Sequence, residues 1–166
     1  MPPDQIIGAP SFSPPAAITF ACASDWIDAL MPIGLPIVVS LTVSRGDAGL
    51  QTPTGVPLGR MVRVVTKHQP FAVGLNCSID AERMTPAIAA LATQTNLPLL
   101  AKPQAKESAK CLTPRNPETT SWFTQHAMEL SQAGATAIGG CCGVGPMAIT
   151  ALRRAIDAAW PERVAS

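Results

Sequence analysis

Charge is what this sequence has least of. Asp, Glu, Lys and Arg make up 14% of its 166 residues, against the usual quarter. Twelve Lys and Arg stand against eleven Asp and Glu, and no basic run exists. Nucleic-acid binding therefore has no electrostatic support. No apolar stretch approaches the roughly 20 residues a membrane helix needs, which argues against a membrane protein. The amino terminus, Met1-Pro2-Pro3-Asp4-Gln5, lacks the positive stretch and apolar run of a signal peptide. With no export signal, five cysteines, an odd number, point to reduced thiols in the cytoplasm rather than to a disulfide framework. The low charge and a mean hydropathy of +0.23 permit a sizeable core and exclude wholesale disorder. The length suits one domain.

Residues 1–33 read as an irregular, Pro-rich lead-in. Pro2, Pro3, Pro10, Pro14 and Pro15 break any long helix or central strand. A short strand over Ala17–Ala21 fits the pattern. A short helix then follows, with Ser24 as N-cap and Asp25 in its first turn, and with Trp26, Ile27 and Leu30 as its apolar face.

From Pro36 the pattern changes. Ile37–Val43 is β-branched and nearly continuous, as a strand buried on both faces should be. Gly46, Gly49, Pro53, Gly55 and Pro57 mark a loop. Leu58, Met61, Val62 and Val65 have helical spacing. Phe71–Cys77 is a second strand, and Met84, Ile88, Leu91 and Ala92 a second helical stripe. Leu97–Lys102 is a third strand, closed by Pro103. Asn116-Pro117-Glu118 reads as N-cap, first helical residue and acidic first turn of a helix carrying Phe123, Ala127 and Leu130, which Gly134 ends. Ala135–Cys142 is the fourth strand, and Gly145-Pro146 opens a last helix with Ile149, Leu152 and Ile156 on one face. Strand and helix alternate four times, which predicts a parallel sheet in sequential order with right-handed crossovers. Periodicity alone leaves an open doubly wound sheet and part of a (β/α)8 barrel both standing.

Three cysteines fall at strand carboxyl ends, where parallel α/β folds place their sites: Cys77 after the second strand, Cys141 and Cys142 after the fourth. Adjacent residues on a strand point to opposite faces, so Cys141 and Cys142 converge only if the chain turns sharply between them. Gly139, Gly140 and Gly143 supply that freedom. Three thiolates around Zn²⁺ leave a fourth tetrahedral position open, which suits activation of a thiol nucleophile. Small buried core cysteines and a Cys141–Cys142 disulfide are the competing explanations.

These segments resemble a known family. Val73-Gly74-Leu75-Asn76-Cys77-Ser78 is similar to the GxNC motif of homocysteine S-methyltransferases, and Ile138-Gly139-Gly140-Cys141-Cys142-Gly143 followed by Pro146 to their GGCCG..P motif. Pro36–Thr42 and Leu99–Pro103 resemble two further family strands in the same order, so the likeness runs from about Gly34 to Leu152. It implies that residues 34–166 are a partial homocysteine-binding domain, the carboxyl-terminal half of a TIM-type (β/α)8 barrel. It implies Zn²⁺ on Cys77, Cys141 and Cys142, and methyl transfer to the thiol of homocysteine, giving methionine. The implied donor is S-methylmethionine, betaine or a corrinoid-delivered methyl group. Pro103-Gln104-Ala105-Lys106 stands where the family has PNAG, and Gly143-Val144-Gly145-Pro146 where it has GTTP. The family's glycine-rich first strand, and the acidic residues that hold the amino-acid end of homocysteine, have no counterpart before Gly34.

The alternative is a non-catalytic zinc-binding half-barrel that assembles with another chain. A half-barrel leaves two edge strands and an open face, expected here to be Val, Ile and Leu. Such surfaces template association, so a homo-oligomer or a separate amino-terminal half is the expected partner. Asn76 is expected to touch substrate or support Cys77. Lys102 ends a strand on the same face, where a donor or carboxylate contact competes with a solvated lysine. His68 and His126 are expected in helices, surface-exposed or half-buried. Cys22 and Cys111 match no motif and are read as non-ligands. The Gly-rich stretch Arg45–Gly59 fits no phosphate-binding pattern.

Overall fold

The computed structural model describes residues 20–46, 49–106 and 117–161. Its elements are α1 (Phe20–Leu30), a 3-10 turn (Met31–Ile33), β1 (Val38–Leu41), β2 (Ser44–Gly46), β3 (Gly49–Gln51), α2 (Leu58–Thr66), β4 (Ala72–Asp80), α3 (Ala81–Ala92), β5 (Leu99–Gln104), α4 (Pro117–Gln132), β6 (Ala137–Ile138) and α5 (Pro146–Ala159). The sheet order is β1-β4-β5-β6, and every pairing in it is parallel. The four (β/α) units are thus in sequential order.

The strands sort their side chains by alternation. Val73 and Leu75 of β4 and Leu99 and Ala101 of β5 are buried with Met61, Val62 and Val65 of α2 and Met84, Ile88 and Leu91 of α3 in the main core. Phe123, Ala127, Ala148 and Leu152 form a smaller cluster between α4 and α5. Burying leucine- or isoleucine-sized side chains of this kind stabilises by about 1.5–3 kcal/mol each. Asp80 caps α3, its Oδ1 accepting from Arg83 N at 3.0 Å.

Several sequence expectations change. Phe20 and Ala21 are helical, not extended; residues 17–19 of the expected strand lie outside the described residues. Ser24 is inside α1 rather than at its N-cap. Its Oγ lies 2.6 Å from His68 Nε2, and His68 Nδ1 lies 2.8 Å from Asp28 Oδ1. Ser24 and Asp28, one turn apart, thereby pin α1 to the turn after α2, where His68 sits rather than in a helix. Ile27 joins the main core, while Trp26 is 66% exposed. The first strand is shorter than Ile37–Val43 and is not buried on both faces. β1 is an edge, with Val38 47% exposed. The expected loop from Gly46 begins as a small antiparallel hairpin of β2 and β3.

The face of the sheet away from α2 and α3 also differs from expectation. It carries Val38 and Leu100, in line with the expected apolar face, but also Ser40, Asn76, Lys102 and Gln104, so it is more polar than a run of Val, Ile and Leu. No described helix is long and apolar enough to cross a membrane.

Candidate metal centre

β4 runs through Cys77 to Asp80, but its backbone breaks step at Cys77 and Ser78. These residues have φ of 55° and 58°, the left-handed region that costs an L residue about 1–2 kcal/mol. Register with β5 jumps from Asn76↔Lys102 to Asp80↔Gln104. Such a bulge re-aims a side chain, and here it carries the Cys77 thiol. β5 continues through Pro103 instead of stopping there, and the Pro103 C=O accepts from Cys141 N in the turn after β6. Its missing N–H falls on that same side, where β6 has already ended, and costs no ladder bond.

β6 is only two residues long, so Cys141 and Cys142 do not end a strand. They stand in a turn bound to the end of β5. Gly139 N donates to Ala101 O at 2.9 Å, Cys141 N to Pro103 O at 2.9 Å, and Ala105 N to Cys142 O at 2.8 Å. The turn needs glycine at two places. Gly143 has φ +77° and a Cβ there would lie 2.9 Å from Ala105 Cβ, while a Cβ on Gly140 would meet Val144 Cγ1 at 2.4 Å.

The three cysteines are free thiols, and their sulfurs lie within 4.8 Å of one another. Cys77 and Cys142 Sγ are 3.2 Å apart. Cys77 and Cys141 are half-buried and Cys142 is exposed. The Cys77 thiol also reaches Gln104 Oε1 at 4.0 Å. Burial raises the Cys77 pKa, but hydrogen bonds from Cys142, Cys141 and the Ser78 backbone outweigh it and leave the thiol below its ordinary value of 9.0. Cys141 is pushed up to about 11, chiefly by burial and then by its bond to Cys77. Cys77 thus ionises before Cys141. Three clustered sulfurs at the carboxyl ends of parallel strands are a donor set that can hold a metal ion.

Asn76, just before the bulge, is held rather than free. Its Oδ1 accepts from Ser40 Oγ at 2.7 Å and its Nδ2 donates to Thr42 Oγ1 at 3.3 Å. Lys102 is half-buried on the same face of the sheet. His126, within α4 as expected, pairs with Glu129 at 2.9 Å and lies against Trp122 with the two rings tilted by 51°. Cys111 lies outside the described residues. Gln104 is the site neighbour that sequence reasoning missed. Its only signal was its position in the segment matching the PNAG loop.

A parallel (β/α) half-barrel with three thiols converging beside its carboxyl end defines the class: a partial TIM-type barrel with a cysteine cluster that could hold a metal ion. The chain belongs to the homocysteine S-methyltransferase family, whose sequence profile matches residues 14–156. The match begins well ahead of Gly34, where the motif likeness starts. Three solved structures of the Escherichia coli homocysteine methyltransferase MmuM superpose on 82% of the chain. The metallated form does so with TM-score 0.65 and 25% identity, the oxidized form with 0.66 and 27%, and the apo form with 0.63 and 26%. The matched region is 42%, 42% and 46% of those chains. This chain therefore spans less than half the length of these relatives.

Proposed function

We propose that Cys77, Cys141 and Cys142 hold one Zn²⁺, and that the chain carries the metal-bearing part of a site that methylates the thiol of homocysteine to give methionine. The observation that supports this best is the convergence of three sulfurs, one from the bulge in β4 and two from the turn after β6. Thiolates select zinc among the common divalent ions. A Zn–S bond of about 2.3 Å in a tetrahedron sets sulfurs roughly 3.8 Å apart, and the separations here, from 3.2 Å to at most 4.8 Å, bracket that value. Exposure of Cys142 leaves the fourth position open to a substrate thiol.

Bound zinc supplies the Lewis acidity that keeps such a thiol deprotonated near neutral pH. The protein's own part is positional. The bulge aims Cys77, the laced turn fixes Cys141 and Cys142, and Asn76, locked by Ser40 and Thr42, holds β4 in place beside them. The substrate sulfur then attacks the methyl carbon of an onium donor such as S-methylmethionine or betaine, and the donor leaves with the electron pair of the broken bond.

Residues 34–166 form the partial homocysteine-binding domain in this reading, with residues 1–33 as lead-in, and the protein works in the cytoplasm. Neither nucleic acid nor membrane takes part. A second copy, or an amino-terminal half-barrel, completes the barrel. The exposed Phe71 (63%) and Val38 beside the free edge of β1 also favour a second reading, a non-catalytic zinc-binding half-barrel that serves assembly.

Metal content tests the zinc assignment. The purified chain should hold one zinc, Cys141→Ala should lose it, and Cys111→Ala should keep it. Equal zinc in both variants would overturn it.

A further inference from the structure

The sulfur cluster is soft throughout. Cys77, Cys141 and Cys142 are the group of metal-binding side chains that gathers among the described residues, and no histidine or carboxylate joins them. Zinc completes a tetrahedron with a fourth ligand, and three sulfurs leave that place to something else. Trivalent arsenic needs three ligands only, because a lone pair fills its fourth direction, and soft thiol donors suit it as they suit other soft centres.

Geometry favours such a centre further. Arsenic and zinc bonds to sulfur are similar in length, but the arsenic pyramid closes its S–As–S angles toward a right angle. Its sulfurs therefore sit nearer one another than the roughly 3.8 Å of a zinc tetrahedron. Cys77 Sγ and Cys142 Sγ, 3.2 Å apart, lie on that shorter side. The backbone holds them there, through the left-handed step at Cys77 and Ser78 and the turn laced to Pro103 and Ala105. Cys142 is exposed and Cys141 half-buried, so a small neutral solute meets Cys142 first.

We propose that the three-thiol centre takes up trivalent arsenic, bound first by Cys77 and Cys142 and completed by Cys141. No electron transfer is involved. As(OH)3 forms three As–S bonds and loses three As–O bonds. Each thiol proton leaves with a hydroxyl, so three waters are released and arsenic stays trivalent. Hydrated phenylarsine oxide, with two exchangeable hydroxyls, forms two As–S bonds, releases two waters and stops at Cys77 and Cys142. A filled centre keeps no thiolate for zinc, so arsenic and zinc exclude each other. The proposal rests on the convergence of the sulfurs, not on zinc or on methyl transfer.

The test is binding, read without turnover. The chain is stripped of metal, kept reduced with a phosphine, and titrated with sodium arsenite and with phenylarsine oxide. Arsenic–thiolate absorption and the mass of the intact adduct are followed. A background with Cys22→Ser and Cys111→Ser leaves the three thiols as the only ones. One arsenic per chain is expected, with three thiols consumed by arsenite and two by phenylarsine oxide. Cys141→Ser should leave phenylarsine oxide binding unchanged and weaken arsenite about 100-fold, because the third bond forms within one molecule. Cys77→Ser and Cys142→Ser should each lose phenylarsine oxide. In the unsubstituted chain, phenylarsine oxide should protect Cys77 and Cys142 from alkylation, which gives the same answer without any substitution. Added zinc should weaken arsenite binding in proportion to its concentration. Tight phenylarsine oxide binding by Cys77→Ser would place the pair at Cys141 and Cys142 and overturn the proposal, as would simultaneous binding of zinc and arsenic. A chain that takes zinc but no arsenite overturns the proposal and leaves the zinc reading standing. A chain that takes neither overturns both.

Discussion

Cys77 Sγ lies 3.2 Å from Cys142 Sγ across 65 positions of sequence. Two departures from regular structure create that contact. One is the left-handed step at Cys77 and Ser78, and the other is the turn that replaces the end of the fourth strand. Each has a measurable consequence.

Stability of the metal-free chain should depend on pH through Cys141. Its folded pKa of about 11 exceeds the ordinary 9.0. Between those values the unfolded chain has released a proton that the folded chain keeps, so stability falls as pH rises through the window. Cys77, shifted down, acts oppositely: its contribution is complete above 9.0 and lost as pH falls through its lowered pKa. Urea midpoints of chelator-treated protein should drop between pH 9 and 11, and Cys141→Ala should drop less. Equal drops would contradict the assignment. Zinc affinity should fall as pH decreases, because ligation needs all three thiolates.

Ser78→Gly should stabilise the chain by about 1 kcal/mol. Ser78 holds a left-handed φ, and its Oγ is buried with no hydrogen-bond partner among the described residues. Glycine removes both penalties, offset in part by the greater freedom of the unfolded chain. Denaturant unfolding at constant m-value is the check, and a destabilised variant would refute it.

Gly143→Ala should cost about 1–2 kcal/mol through its positive φ and weaken zinc binding, because the displaced turn carries Cys141 and Cys142. Gly55→Ala, also at positive φ (+82°) but with open space around its Cβ, should pay the strain and keep zinc affinity. Competition with a chelator separates the two.

Methionine formation from S-methylmethionine or betaine should be near background for the chain alone. Near-attack positioning is worth about 7–11 kcal/mol, and the chain spans under half of its solved relatives. Adding the amino-terminal half of a related enzyme should raise the rate. Robust turnover by the chain alone would show that residues 1–33 or a second copy complete the site.

The outer edge of β1, unpaired among the described residues, and the exposed Val38 on it and Phe71 just before β4 should drive self-association. Sedimentation should find dimers or larger species, and Val38→Lys should shift them toward monomer. A monomeric native chain at high concentration would count against this.

Much of this was legible in the sequence because it depends on local periodicity. Helical spacing placed Leu58, Met61, Val62 and Val65 on one buried face, and Pro117 and Pro146 opened their helices where proline can. Strand–helix alternation set a parallel, sequential sheet, since short crossovers permit little else. The double cysteine and Asn76-Cys77 marked the site by residue type alone. Tertiary structure decided what depends on neighbours distant in sequence. Val38 looked like a core strand residue but lies on an edge, because nothing among the described residues pairs beyond β1. Ser24 looked like a cap until His68 claimed its hydroxyl. No periodicity encodes the φ of Cys77 or the pairing of Asn76 with Lys102. Both arise only when β4, β5 and the turn after β6 are packed side by side, where a backbone step sets which way a thiol points and the strand register sets which side chains meet.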